Sequence, residues 1–190
     1  VWAPVPLKPS GNRKLSPWMH QKKAGGHEAE VVVKNSFGTL SSECKWTTPF
    51  CEGCYAGAAE VYPNVHALLT HNTDLTRGRS VDELVPLFDR LVHDAEVQMV
   101  KRGVPVEDRF YRPHWDGELD SFEELMAWNQ VAGYHPDMQV FLYTRAHMLV
   151  RTFIGNCVPA PNFVVYLSVD SHNVDTAKQV QEIDPRGWVK

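Results

Sequence analysis

No apolar run in this 190-residue chain approaches the ~20 residues of a membrane-spanning helix. The N-terminal stretch also lacks the apolar core of a signal peptide. No membrane partner is therefore expected. Positive charge is scarce: 19 Lys and Arg stand against 23 Asp and Glu, for a net charge of -4. This balance excludes a broad basic face for nucleic acid and leaves only a local patch around Lys101 and Arg102. There is no Gly-rich phosphate loop and no nucleophile elbow. Internal repeats and low-complexity segments are absent too. Cysteine is rare, at 4 residues. What remains is ordinary for a globular protein: 43% hydrophobic and 22% charged residues, in a length that suits one domain with a sizeable core.

Three of the cysteines crowd into one segment. Cys44, Cys51 and Cys54 form the spacing C-x6-C-x2-C, in a loop containing Thr, Pro and Gly. Thiols this close in sequence can converge on one metal centre. A structural zinc site usually takes four protein ligands, whereas a cubane cluster held by three cysteines leaves one iron open to a small molecule. Cys157 is the candidate fourth ligand, with a core thiol as the alternative reading, since free cysteine behaves as a small hydrophobe. A disulfide with spare thiols is the bland reading. Clustered thiols without a secretory signal fit a reducing cytoplasm.

Residues 1–27 read as an irregular arm, broken by Pro4, Pro6, Pro9, Pro17, Gly11, Gly25 and Gly26, with Trp2 and Trp18 as anchors. Residues 28–190 read as one α/β domain. Val31 to Phe37 is β-branched and predicts a first strand. A short helix is expected from Tyr55 to Val61, ending near Pro63. Ser80-Val81-Asp82-Glu83 is a capping box that opens a helix ending at Gly103, with Pro86 predicting a kink or a later start. Arg109 to His114 predicts a second strand, and Ser121 caps a helix through Ala132. Gln139 to Thr144 predicts a third strand, followed by a helix from His147 to Ile154. Phe163-Val164-Val165-Tyr166-Leu167 predicts a fourth strand buried on both faces. A last helix is expected from Asn173 to Ile183.

Alternating strands and helices imply a mostly parallel sheet. Right-handed crossovers place all strand ends on one rim, where such folds build sites. The cysteine loop, His114-Trp115-Asp116-Gly117-Glu118, Tyr143-Thr144-Arg145 and Ser168-Val169-Asp170 each follow a strand. All four are expected to converge.

The loop C-x6-C-x2-C-Tyr-Ala resembles the cluster loop of phage-encoded radical S-adenosylmethionine-like proteins. The segment Arg112-x-His114-x-x-Gly117-Glu118-x-x-Ser121, then Trp128, Pro136 and Tyr143-Thr144-Arg145, is similar to the rest of that pattern. The similarity runs from about residue 31 to residue 171. It implies a partial (β/α) barrel and a [4Fe-4S] cluster, with S-adenosylmethionine on the open iron of Cys44, Cys51 and Cys54. Tyr55 would pack near the adenine. Asp116, Gly117 and Glu118 would hold the ammonium; Ser168 and Asp170 would contact ribose or carboxylate. Thr144 and Arg145 would border the same cofactor, with Arg145 pairing the carboxylate. The resemblance also implies an unknown substrate, an electron-donor or host-protein partner, and the host cytoplasm as location. A non-enzymatic cluster protein, structural or redox-sensing and closed by Cys157, is the alternative. The bland readings make Asp116 and Glu118 turn residues, His114 an internal hydrogen-bonding group, and Ser168 and Asp170 a helix cap.

Overall fold

A computed structural model gives the architecture and describes residues 5–11, 20–22, 28–30, 33–184 and 186–190. The Trp2 and Trp18 anchors and the Val31-Val32 strand start lie outside the described residues. A short antiparallel pair joins β1 (His20–Lys22) to β2 (Glu28–Glu30). The main sheet holds β3 (Phe110–Tyr111), β4 (Gln139–Thr144) and β5 (Phe163–Leu167). The three are parallel, in the order β3-β4-β5. Among the described residues five α-helices accompany them: α1 (Pro63–Thr76), α2 (Val81–Lys101), α3 (Phe122–Tyr134), α4 (His147–Asn156) and α5 (Val174–Glu182).

Each sheet edge gains an isolated bridge. Ser36 pairs parallel with Arg112, so the expected first strand survives as an extended segment beside β3. The Phe37 N–H donates to the Arg112 carbonyl at 3.2 Å, and the Arg112 N–H donates to the Asn35 carbonyl at 3.0 Å. Val189 pairs parallel with Val165 at the opposite edge. The fold is thus a mixed α/β unit around a small parallel sheet. Among the described residues the sheet ends at these bridges and does not close into the expected barrel.

The helix signals act locally. The Ser80 N–H donates to the Glu83 carboxylate at 3.0 Å, completing the capping box, and α2 starts at once. Pro86 neither delays nor divides the helix, because it forfeits one early backbone bond while Leu84, Leu87, Phe88 and Leu91 bury a continuous stripe. Pro63, expected to stop a helix, instead opens α1 at its first turn, where a missing N–H is no loss. The expected Tyr55–Val61 helix is a 3-10 turn over Gly57–Val61.

Successive strands lie side by side and their crossover helices pack on one face. That face is the core. Tyr111, Val140, Leu142, Thr144, Phe163, Val165 and Leu167 point into it and are buried. Phe88 stacks on Trp128 with ring centroids 3.9 Å apart, and Tyr111 and Phe37 complete the aromatic cluster. The alternate residues Phe110, Gln139, Phe141, Tyr143, Val164 and Tyr166 point the other way and are half-buried or exposed. This corrects the expectation for β5: its apolar run is buried on one face, and its second face opens on a concavity.

Candidate functional site

The cysteine loop leaves the Phe37 edge of the sheet and folds as two 3-10 turns, Ser41–Glu43 and Pro49–Gly53. It is fastened to the segment after β3. The Trp46 indole N–H donates to the Leu119 carbonyl at 2.9 Å, and Lys45 pairs with Asp120 at 2.6 Å. Gly117 is indispensable to this contact. Its φ is +76°, and a Cβ there would lie 2.1 Å from Thr39 Oγ1 and 2.8 Å from the Thr39 carbonyl oxygen.

Glu118 ties β4 to the same segment. It accepts from Thr144 Oγ1 at 2.6 Å and from the Arg145 and Leu119 N–H groups at 2.8 and 2.9 Å. Burial still raises its pKa above the usual carboxylate range. A second clasp joins the loop to the end of β5. Asp170 accepts from Thr48 Oγ1 at 2.6 Å and pairs with Arg145, whose guanidinium lies 5.6 Å from the Phe50 ring centroid. The Thr48 hydrogen bond leads the effects that hold the Asp170 carboxyl below its ordinary range. The Ser168 carbonyl accepts from Asn173 Nδ2 at 3.0 Å and lies 3.2 Å from His147 Nε2. Tyr55 stands apart from this network, its side chain 77% exposed.

Behind the rim lies a buried acidic cluster. His114 Nε2 sits 2.9 Å from Glu124 Oε1. Burial opposes the imidazolium, but the Glu124 carboxylate outweighs it and raises the His114 pKa. Asp116 accepts from the Gly117 N–H at 2.8 Å through one oxygen, while Oδ2 is buried without a partner. Burial, then the Glu60 carboxylate, pushes Asp116 up to about 6.

The donor set does not fit a metal. Among the described residues no group of three His, Cys, Asp or Glu side chains can hold a metal ion. Cys44 and Cys51 are half-buried and Cys54 is exposed. Burial, followed by the Glu118 carboxylate, pushes the Cys44 thiol up to about 12. Cys157 is not near this loop in the topology. It caps the far end of α4, whose ten residues run ~15 Å from the rim, and it donates to Met126 Sδ at 3.2 Å.

A separate concavity occupies the open sheet face. It measures about 460 Å³ and is lined by Phe110, Arg112, Gln139, Phe141, Tyr143, Val164 and Tyr166. Tyr143 and Tyr166 stack at 4.9 Å, and Phe141 meets both edge-on at 6.1 Å. The Arg112 guanidinium lies 5.1 Å above the Tyr143 ring. Two residues beyond Tyr143, in the next position of the same alternation, stands Arg145 with its Asp170 clasp.

The model of the gene product 88 family matches residues 7–188. The chain belongs to that family. It is also 32% identical over 181 residues to the Gene 88 protein of Mycobacterium phage L5, covering 93% of this chain and 73% of the relative. The phage origin implied by the sequence resemblance stands with these matches. No solved structure matches the chain. The iron–sulfur function, in both its radical and its non-enzymatic form, is overturned: the thiols do not assemble a metal-holding group, and neither family nor relative brings one. Among the described residues no helix is long and apolar enough to cross a membrane.

Of the rim residues named from sequence, the structure brings Glu118, Thr144 and Arg145 together and joins Arg145 to Asp170. Gly117 packs on Thr39, and Tyr55 and Cys157 are not in the network. The pocket floor was missed. Its signal was the spacing of Phe141 and Tyr143, two residues apart, with Val164 and Tyr166 repeating it on the next strand.

Proposed function

We propose that the chain is a small-molecule-binding protein that takes a ring-containing ligand on the open face of its parallel sheet. The supporting observation is the 460 Å³ aromatic concavity. Parallel sheets are ordinarily covered on both faces, and among the described residues this one is covered by helices on one. The uncovered face nevertheless carries Phe110, Phe141, Tyr143 and Tyr166, residues that normally seek burial. Its volume and apolar lining match those of small-ligand pockets, and its concave form suits a small molecule better than a flat partner surface. The strand C-terminal ends, where polar groups converge, lie at one end of it.

The neutral fluorophore N-phenyl-1-naphthylamine tests the reading. Its emission rises on entering an apolar site, and Phe141→Ser, which removes the central ring of the floor, weakens binding about 10-fold or more. No binding, or binding that Phe141→Ser leaves unchanged, overturns the proposal. So does a sheet-face dimer in sedimentation that Tyr166→Asp dissolves, because the face is then taken by a second copy.

A further inference from the structure

The pocket floor contains one residue that an uncharged ring does not explain. Arg112 lines the concavity, and its Nε is buried without a hydrogen-bond partner. Its guanidinium rests over Tyr143. Among the described residues its side chain forms no ion pair; the nearby arginines Arg109 and Arg145 pair with Asp137 and Asp170. A guanidinium held against an aromatic floor loses hydration and regains it only in part from the ring. The missing interaction is an anion, for which the planar fork of five donors is the suited receptor.

The neighbouring charges sharpen the point. Asp116 Oδ2 has no partner, but three other acidic groups close to the rim are already committed: Glu118 to Thr144 and the Arg145 N–H, Asp170 to Thr48 and Arg145, and Glu124 to His114. They are not free to turn toward Arg112. Repulsion is also limited, because the pocket lining contains no carboxylate. The wall presents one cation, one amide at Gln139, and otherwise rings and aliphatic groups.

Resting on the proposed pocket, we infer that its ligand is a planar aromatic anion: the ring lies against Phe141, Tyr143 and Tyr166, and the carboxylate, sulfonate or phosphate group meets Arg112. The ring supplies stacking area, and the anion supplies a charge-assisted hydrogen bond to the guanidinium.

Two fluorophores of one framework separate the two ideas. 8-Anilinonaphthalene-1-sulfonate is N-phenyl-1-naphthylamine carrying a sulfonate. The full chain is expected to bind the sulfonate about 10-fold or more tightly than the neutral parent. Arg112→Met, which keeps the aliphatic stem, brings that ratio to about 1. In the unaltered chain the Arg112 Nε–H resonance, assigned by its disappearance in Arg112→Lys, shifts with the sulfonate and not with the neutral probe. This reading survives any failure of Arg112→Met to fold. If the neutral probe binds in a Phe141-dependent way but the sulfonate binds no tighter and leaves the resonance in place, the anion inference fails and the pocket stands. If neither probe binds, both fail.

Discussion

Replacing Gly117 with alanine strikes the junction on which the whole rim depends. The perturbation has two separable parts. The first is conformational: a φ of +76° costs a residue with a Cβ about 1–2 kcal/mol. The second is crowding, because the new Cβ would lie 2.1 Å from Thr39 Oγ1 and 2.8 Å from the Thr39 carbonyl oxygen. Thr39 is buried, so its hydroxyl has little room to turn away, and the carbonyl belongs to the backbone. Overpacking of this kind costs about 1–3 kcal/mol, for a total of about 2–5 kcal/mol. Gly103 supplies the internal reference. Its φ is +70° with nothing within 4 Å of a built Cβ, so Gly103→Ala reports the conformational part alone. Gly53, with an open surround and no positive φ, reports neither. Urea unfolding followed by tryptophan fluorescence gives each difference. The expected order of loss is Gly117→Ala, then Gly103→Ala at about 1 kcal/mol, then Gly53→Ala near zero. Thr39→Ala in the Gly117→Ala background restores only part, since the carbonyl contact persists. A Gly117→Ala loss no larger than that of Gly103→Ala refutes the close packing of the cysteine loop on the segment after β3.

Asp116 gives a pH signature. Its folded pKa, about 6, lies above the ordinary 3.8, so the folded state holds the proton more tightly than the unfolded chain. Its destabilising effect is therefore absent near pH 3, develops between about 4 and 6, and is complete above 6; Asp116→Asn should raise stability at pH 7.5 by roughly 1–3 kcal/mol and leave it nearly unchanged near pH 4 in paired urea titrations. His135 lies between Glu96 at 2.6 Å and Asp89 at 3.0 Å, bridging α2 to the end of α3, so His135→Ala should cost about 1–3 kcal/mol, and an unchanged denaturation midpoint would contradict the bridge. Timed iodoacetamide labelling at pH 8 with mass spectrometry should modify exposed Cys54 first and half-buried Cys44 more slowly, because burial and the Glu118 carboxylate push its thiol up to about 12. Labelling of Cys44 as fast as Cys54 would contradict this order.

The helices were legible where local chemistry determines them. Ser80 with Glu83 and Ser121 with Glu124 mark helix starts through side-chain bonds to the first turn. Pro63 was misread because proline both ends helices and occupies their first turn, and the residues after it, not the proline itself, decide between the two. The strands β4 and β5 were readable as strands, but not their exposure. A run such as Phe163 to Leu167 is apolar on both faces whether a helix or a ligand covers the second. The rim network was legible in part, since residues after parallel strands share an edge. The cysteines misled for a physical reason. Sequence spacing sets which thiols can meet, whereas ligation also requires converging directions and an environment that favours the thiolate. Here, among the described residues, the three thiols do not converge into a group that can hold a metal. Arg112 was visible only as part of a motif; its unpartnered Nε is a property of the packed sheet.

The open-face pocket is tested most directly by methyl and aromatic ¹H–¹³C spectra during titration with N-phenyl-1-naphthylamine. Saturable shifts confined to the Val164 methyls and the rings of Phe141, Tyr143 and Tyr166 are the expected result. Shifts elsewhere on the chain with these four residues unmoved, or no saturable shift at all, would contradict a ligand site on this face of the sheet.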